Sequence, residues 1–322
     1  MLNFRVLYVG TNFPQTNLQT IYGKYHFFSK KNDYFFSLFS YYFFSRPFLK
    51  LFCKKAGVYF LILYICQIVS ILFFIIMDSI ENRRSIRKYS HRDVDQHLLL
   101  RLLEEAERTQ NMGNLQLYSV VITRSEAKKA ALAPSHFNQP MVMGAPVVLT
   151  FCADYHRTTR WCEERKAVPG YDNFLSFMNA MTDALLYCQN FCTLAEAEGL
   201  GLCYLGTTLY SSDKIIDVLE LPQLVMPVAT ITLGWPDEQP LQSDRLPLSA
   251  VVHEETYQPV TRETIDRDYS PKEALPENQE FLRINNKETL AQIFTDLRYT
   301  KKDCEAISGV LLSTLRRQGF LD

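Results

Sequence analysis

The pattern of apolar and polar positions changes character near residue 77. From residue 78 onward it is regular. Leu98, Leu99, Leu102, Leu103 and Ala106 recur at helical spacing, which predicts an amphipathic helix opened by an Asp93 cap with Gln96 reaching back. Residues 117–123, 147–153 and 228–234 are short, rich in β-branched side chains and set apart by turn residues or helical stretches. They read as interior strands. Residues 174–201 are apolar on nearly every face and end at Gly199, a plausible C-cap, so the spacing predicts a buried helix, covered in part by a second subunit. Polar residues 155–174 carry Tyr155, Trp161 and Tyr171, and read either as a lid or partner contact or as structural filler. Beyond Thr261 two further helical patterns cover residues 287–297 and 301–318. Together these predict one α+β domain over residues 78–322, a mixed sheet flanked by helices with a C-terminal helical excursion.

Residues 1–76 show neither sustained alternation nor helix caps. They hold 14 of the 22 Phe residues and eight basic residues against a single acid, Asp33. Within this region residues 56–77 run for 22 positions without a charge, long enough at about 1.5 Å per residue to cross a hydrocarbon core of about 30 Å. Basic residues flank the run on both sides, Lys50, Lys54 and Lys55 before it and Arg83, Arg84 and Arg87 after it, so charge gives no orientation. A cleavable signal peptide fits poorly, because a long segment precedes the run and no small-residue cleavage site follows it. Phe, Tyr, Lys, Ile and Asn are also what AT-rich DNA yields when translated upstream of a start. The preferred reading therefore places the functional start at Met77, with a membrane anchor as the alternative.

Composition narrows the chemistry. The net charge of −1 over 322 residues excludes wholesale attraction to nucleic acid. Eight Cys show no C-x-x-C pair and no zinc-site spacing, which suits a reducing compartment, and Cys188 with Cys192 read as buried apolar residues on one helix face. No G-x-S-x-G element is present, and His91, His97, His136, His156 and His253 lack metal-ligand spacing.

Four stretches remain. RRSIRKYS, residues 83–90, sets four basic side chains beside two serines; in an extended segment Arg83, Ser85 and Arg87 share one side, a match for a phosphate monoester. GNLQLYSVV, from Gly113, places Asn114 and Gln116 where amides can pair with the edge of a heteroaromatic ring. GLGLCYLGTTL, from Gly199, permits close backbone approach to a ligand. SDRLPLSAVVHEETYQP, from Ser243, offers Arg245 as another phosphate donor. Each stretch has a bland alternative: a solvated basic face, a turn, a strand end, a surface ion pair.

In this order and spacing the four resemble the nitroreductase family of FMN-dependent oxidoreductases, most closely its NADPH-preferring flavin reductase and oxygen-insensitive nitroreductase branch. The resemblance runs from about Met77 to the end of the chain. It implies that Arg83, Arg84, Ser85 and Arg87 bind the FMN phosphate and ribityl chain or ring edge, and that Arg245 completes the phosphate site. It implies further that Asn114, Gln116 and Tyr118 lie beside the ring and ribityl chain, while Tyr204, Leu205, Gly206 and Thr207 supply backbone contacts near the ring. The chain departs from the family at Ser243, where a Lys is common, and at Thr207, where a second Gly is common. For the nicotinamide donor the branch implies Arg283 and Lys287 at approximate positions, favouring NADPH over NADH. A homodimer with FMN at the subunit boundary is implied as well. Hydride then passes from NAD(P)H through flavin N5 to nitroaromatics, quinones or free flavin in a ping-pong cycle, in the cytoplasm and without a side-chain catalyst. The competing expectations are a non-enzymatic FMN sensor or carrier and a membrane-tethered interaction protein. In the latter, residues 56–77 are the anchor and the basic segment meets anionic headgroups on the cytoplasmic face.

Overall fold

Four strands form the sheet in the order β1-β2-β4-β3: β1 Tyr118–Thr123, β2 Val147–Asp154, β3 Gly201–Leu205 and β4 Val225–Gly234. The structure is a computed structural model and describes residues 79–322; the apolar run at 56–77 and the rest of the N-terminal region lie outside the described residues. All four strands pair antiparallel. The two central strands, β2 and β4, are buried at every position, as their continuous apolar runs require, whereas β1 is a half-buried edge strand. β3 was not expected as a strand. Its GLCYL sequence is short and flanked by glycines, and pairing to β4 is what holds it extended.

The helix Phe174–Ala197 crosses one face of the sheet and centres the main core. Phe177, Ala180, Ala184, Tyr187, Phe191 and Ala195 form its buried stripe, each large apolar side chain contributing about 2 kcal/mol by leaving water. Asn173 caps its start by accepting from Ser176 N at 3.0 Å. Its end is closed by Gly199 in the left-handed region (φ 83°), with Leu200 N donating to Ala195 O and Gly199 N to Glu196 O, both at 3.0 Å. Burial on nearly all faces is not what a single chain provides: Phe174, Leu175, Met178 and Leu186 are exposed on the outer side. The helix Gln96–Ala106 packs against this one through Leu99, Leu102, Leu103 and Ala106, and Tyr187 Oη donates to Leu103 O at 2.9 Å. Its cap is Asp95, which accepts from Leu98 N, two residues later than the sequence pattern suggested; Asp93 instead accepts from Val94 N and pairs with Arg124.

The tail holds more helix than its periodicity showed. Arg262–Glu273 and Pro276–Asn285 precede a broken segment at Leu290–Ile293 and Phe294–Arg298, then the long Lys301–Arg317 helix. The first two are polar all round and carry too weak an apolar stripe to be read from spacing alone. The last one returns to the core, where Leu315 and Phe320 are buried and Gln318 Nε2 donates to Pro222 O at 2.7 Å. Among the described residues no helix is long and apolar enough to cross a membrane.

The basic segment 83–90 runs along the free edge of β3. Ser85 forms a parallel bridge with Leu202, Ile86 N donates to Leu202 O at 2.9 Å, and Ser90 N donates to Trp235 O at 2.9 Å. The sheet itself is antiparallel rather than mixed, because its strands pair in antiparallel register throughout; the parallel contact is an isolated bridge outside them. Close approach depends on Gly201, where an added Cβ would lie 2.8 Å from Ile86 Cβ. Gly201→Ala is therefore expected to cost about 1–3 kcal/mol by forcing the basic segment off the sheet edge. Thermal unfolding checks this; an unchanged midpoint would show that the segment does not need the contact.

Candidate functional site

The paired basic segment, the end of the central helix and residues 236–239 enclose a cavity of about 750 Å³. This is within the usual range for small-molecule pockets. Arg83, Arg84, Glu196, Gly199, Gly201 and Glu238 contribute to its lining. Pairing with Leu202 decides which side chains reach it: Arg83 and Arg84 do, whereas Ser85 is held at the bridge and Arg87 sits against Cys203 on the other side of the segment. Burial pushes the Cys203 thiol up, with the Arg87 and Arg83 guanidinium groups opposing. Glu238 Oε1 accepts from Arg87 N at 2.5 Å and Lys88 N at 3.0 Å, fixing the segment's exit.

Two features of this cavity bear on anion binding. Arg84 Nε is buried and has no hydrogen-bond partner among the described residues, a state that costs about 1–3 kcal/mol until an acceptor arrives. Beside it, Arg83 Nη1 lies 3.8 Å from Glu196 Oε1. Burial raises the Glu196 carboxyl to about 7, with Arg83 pulling the other way. Near neutrality the local charge is consequently positive, and the donors present fit a phosphate monoester.

The elements expected beside a ring occupy two places. At the end of β3, Tyr204 is the one outward residue of the strand, Leu205 is buried, Gly206 is exposed and Thr207 is buried against His136. The loop before β1 carries Asn114 and Gln116, both in the left-handed region (φ 55° and 51°), next to Gly113. Gln116 holds this conformation because its neighbours fix it: its N–H donates to Asn111 Oδ1 at 3.2 Å, and Arg157 donates to its carbonyl. Tyr118 faces the core, where its ring stacks on Tyr187 with centroids 4.2 Å apart; it supports the loop from beneath and receives Gln116 Nε2 at 3.4 Å. β1 and β3 are opposite edges of the sheet, roughly 14 Å apart at three strand spacings. One chain thus brings the basic segment to the start of β3, with Tyr204–Thr207 at the strand's other end and outside the cavity lining, and does not bring it to Asn114 and Gln116.

A family model described as "Nitroreductase family" matches residues 80–235. The chain is 32% identical over 183 residues to the FMN reductase (NADPH) of Bacillus subtilis, covering 56% of this chain and 74% of that protein. It belongs to the nitroreductase family. It is also 30% identical to the oxygen-insensitive NADPH nitroreductase of Salmonella typhimurium, over 57% of this chain and 75% of that one. Among solved structures, a putative oxidoreductase from Bacteroides fragilis is 58% identical with a TM-score of 0.75, covering 76% of this chain and all of the other. A nitroreductase from B. subtilis is 27% identical with a TM-score of 0.67, over 76% and 98%.

Within this nitroreductase-family chain the remaining sequence candidates stand apart. Arg245 is exposed and donates to Ser243 O and Asp244 O, yet the loop that carries it reaches the basic segment through Gln242 Nε2, which donates to Glu81 O at 2.5 Å. In the tail, exposed Arg283 is paired with Glu280, and half-buried Lys287 with Asp296 at 2.8 Å. Reading by motif missed two positioning groups. Asp183, buried on the central helix, accepts from Met112 N at 2.9 Å and Leu117 N at 3.3 Å, clamping both ends of the Asn114–Gln116 loop. An acidic residue amid an apolar helix was the available signal. His136 beneath Thr207 is the other, and no local pattern marked it.

The raised Glu196 value fixes a pH dependence. Its carboxyl binds a proton more tightly folded than unfolded, so its contribution to stability is fullest below the ordinary value of 4.5 and is lost as pH rises to about 7. Glu196→Gln removes that fall, worth about 3 kcal/mol, in flavin-free protein. Denaturant titrations across this window check it; parallel curves for the two proteins would mean the carboxylate is not desolvated.

Proposed function

We propose that this chain is an NAD(P)H-dependent flavin oxidoreductase of the nitroreductase type that holds FMN with its phosphate in the cavity beside Arg83 and Arg84. The observation that carries this reading is the buried, unpartnered Arg84 Nε in a family-matched segment. Arg84 and Arg83 neutralise the phosphate, Ser85 and Arg87 follow the ribityl chain along β3, and Arg245 swings in from the Gln242-tethered loop. Tyr204, Leu205, Gly206 and Thr207 form the floor for the ring. Bound FMN supplies the chemistry, taking hydride from NADPH or NADH and passing it to a nitroaromatic, quinone or free flavin in a ping-pong cycle.

The strand order supports a homodimer. Asn114 and Gln116 lie at the sheet edge remote from the basic segment, so a second copy supplies them to the ring, with Tyr118 bracing the loop. The exposed Phe174, Leu175, Met178 and Leu186 give such a copy an apolar surface to cover. Arg283 and Lys287 are the cations proposed for the 2′-phosphate of NADPH; each is already shared with one carboxylate, which keeps their attraction for that group modest. The cytoplasm, which holds reduced nicotinamides, is the compartment assigned to the reaction.

The purified protein is expected to be yellow, to run as a dimer, and to bleach under anaerobic conditions on addition of NADPH, with NADH less effective. Arg84→Met should weaken FMN binding by about 10- to 100-fold, the loss of charge-assisted bonds. A flavin spectrum that neither nicotinamide bleaches would make the protein a sensor or carrier instead.

A further inference from the structure

His136 is fully buried in the turn Ala133–His136, ahead of Phe137 and Asn138, which both adopt left-handed backbone (φ 56° and 53°). Its Nδ1 lies 2.9 Å from Thr207 Oγ1, while its Nε2 is buried without a hydrogen-bond partner among the described residues. Burial lowers its pKa to about 4, so at neutral pH the ring carries one proton. If that proton sat on Nε2, a buried N–H would be left unpaired; on Nδ1 it leaves only a lone pair unmet. Orphaned buried N–H groups are rarer than under-used acceptors, which favours the Nδ1–H tautomer donating to Thr207 Oγ1. A threonine hydroxyl has one hydrogen and two lone pairs. With His136 donating, the Thr207 hydrogen is left for another acceptor; the neighbouring Gly206 is exposed, and a Cβ added there would meet no atom within 4 Å.

We propose that His136 is a positioning residue that makes the Thr207 hydroxyl an obligate donor to a ring nitrogen or carbonyl oxygen of the flavin. The inference rests on the reading that the ring lies against Tyr204–Thr207. A donor at that place binds the reduced ring more tightly than the oxidised one, because the acceptor gains negative charge on reduction and charge-assisted hydrogen bonds are stronger. The pair therefore sets the ratio of affinities for the two redox states, a property that packing alone does not move.

Anaerobic redox titration of the full-chain holoprotein, with FMN affinities for both states, tests this. His136→Leu and Thr207→Val are each expected to lower the reduced-to-oxidised affinity ratio by about tenfold, and the double variant to lower it no further. His136→Asn, whose amide N–H stands in for Nδ1–H, is expected to keep the wild-type ratio. Should His136→Leu fail to fold, Thr207→Val and His136→Asn carry the test by themselves. A wild-type ratio in Thr207→Val, additive losses in the double variant, or a loss in His136→Asn overturns the proposal while leaving the flavin site intact. A wild-type protein that takes up no FMN overturns both readings.

Discussion

The parallel contact between residues 85–86 and Leu202 is the constraint on which the candidate site depends. It converts a stretch that sequence alone presents as a solvated basic patch into an added, half-buried strand. The segment departs from simple alternation: the adjacent Arg83 and Arg84 both line the cavity, Ile86 fills the space that Gly201 leaves, and Arg87 lies near Cys203. It also covers a sheet edge that would otherwise offer unpaired backbone groups. Tyr89 locks the far end, its hydroxyl shared between Ile86 O at 2.7 Å and the Thr232 side chain at 2.7 Å.

Buried polar groups serve this site from behind. Asp183, Arg157 and His136 belong to three different helices or turns, and each holds a loop rather than facing open solvent: the first two fix the Asn114–Gln116 turn, the third supports Thr207. Backbone in the left-handed region at Gln116 and Asn138 is affordable because such partners over-determine it. The rigid sheet and central helix give these loops a fixed reference, although left-handed backbone also occurs away from them, at Lys166, Glu220, Leu224, Glu255 and Asn286.

Charge at the cavity is a balance rather than a simple excess. Glu196 and Glu238 share the lining with Arg83 and Arg84, yet they do different work. Glu238 is committed to two backbone N–H groups, while Glu196, desolvated, holds its proton near neutrality. Two carboxylates can therefore line the cavity without cancelling the charge of Arg83 and Arg84, and in the proposed site the protonation of Glu196 is linked to binding of the phosphate.

Periodicity alone marked the first helix, the central helix, three of the four strands and the last helix, because each buries an apolar stripe or run that repeats at its own geometric period. The order of RRSIRKYS, GNLQLYSVV, GLGLCYLG and the Arg245 loop carried the family, since those residue types are demanded by phosphate and ring chemistry whatever surrounds them. β3, the polar tail helices and the Asp95 cap were not legible: their stability comes from partners distant in the chain. Tertiary structure alone decided that Tyr118 is a core residue, that Arg283 and Lys287 are already paired, and that Asn114 and Gln116 sit at the opposite sheet edge from Tyr204–Thr207. Strand order is a long-range property, set by which edges pair in space, and no local run of side chains encodes it.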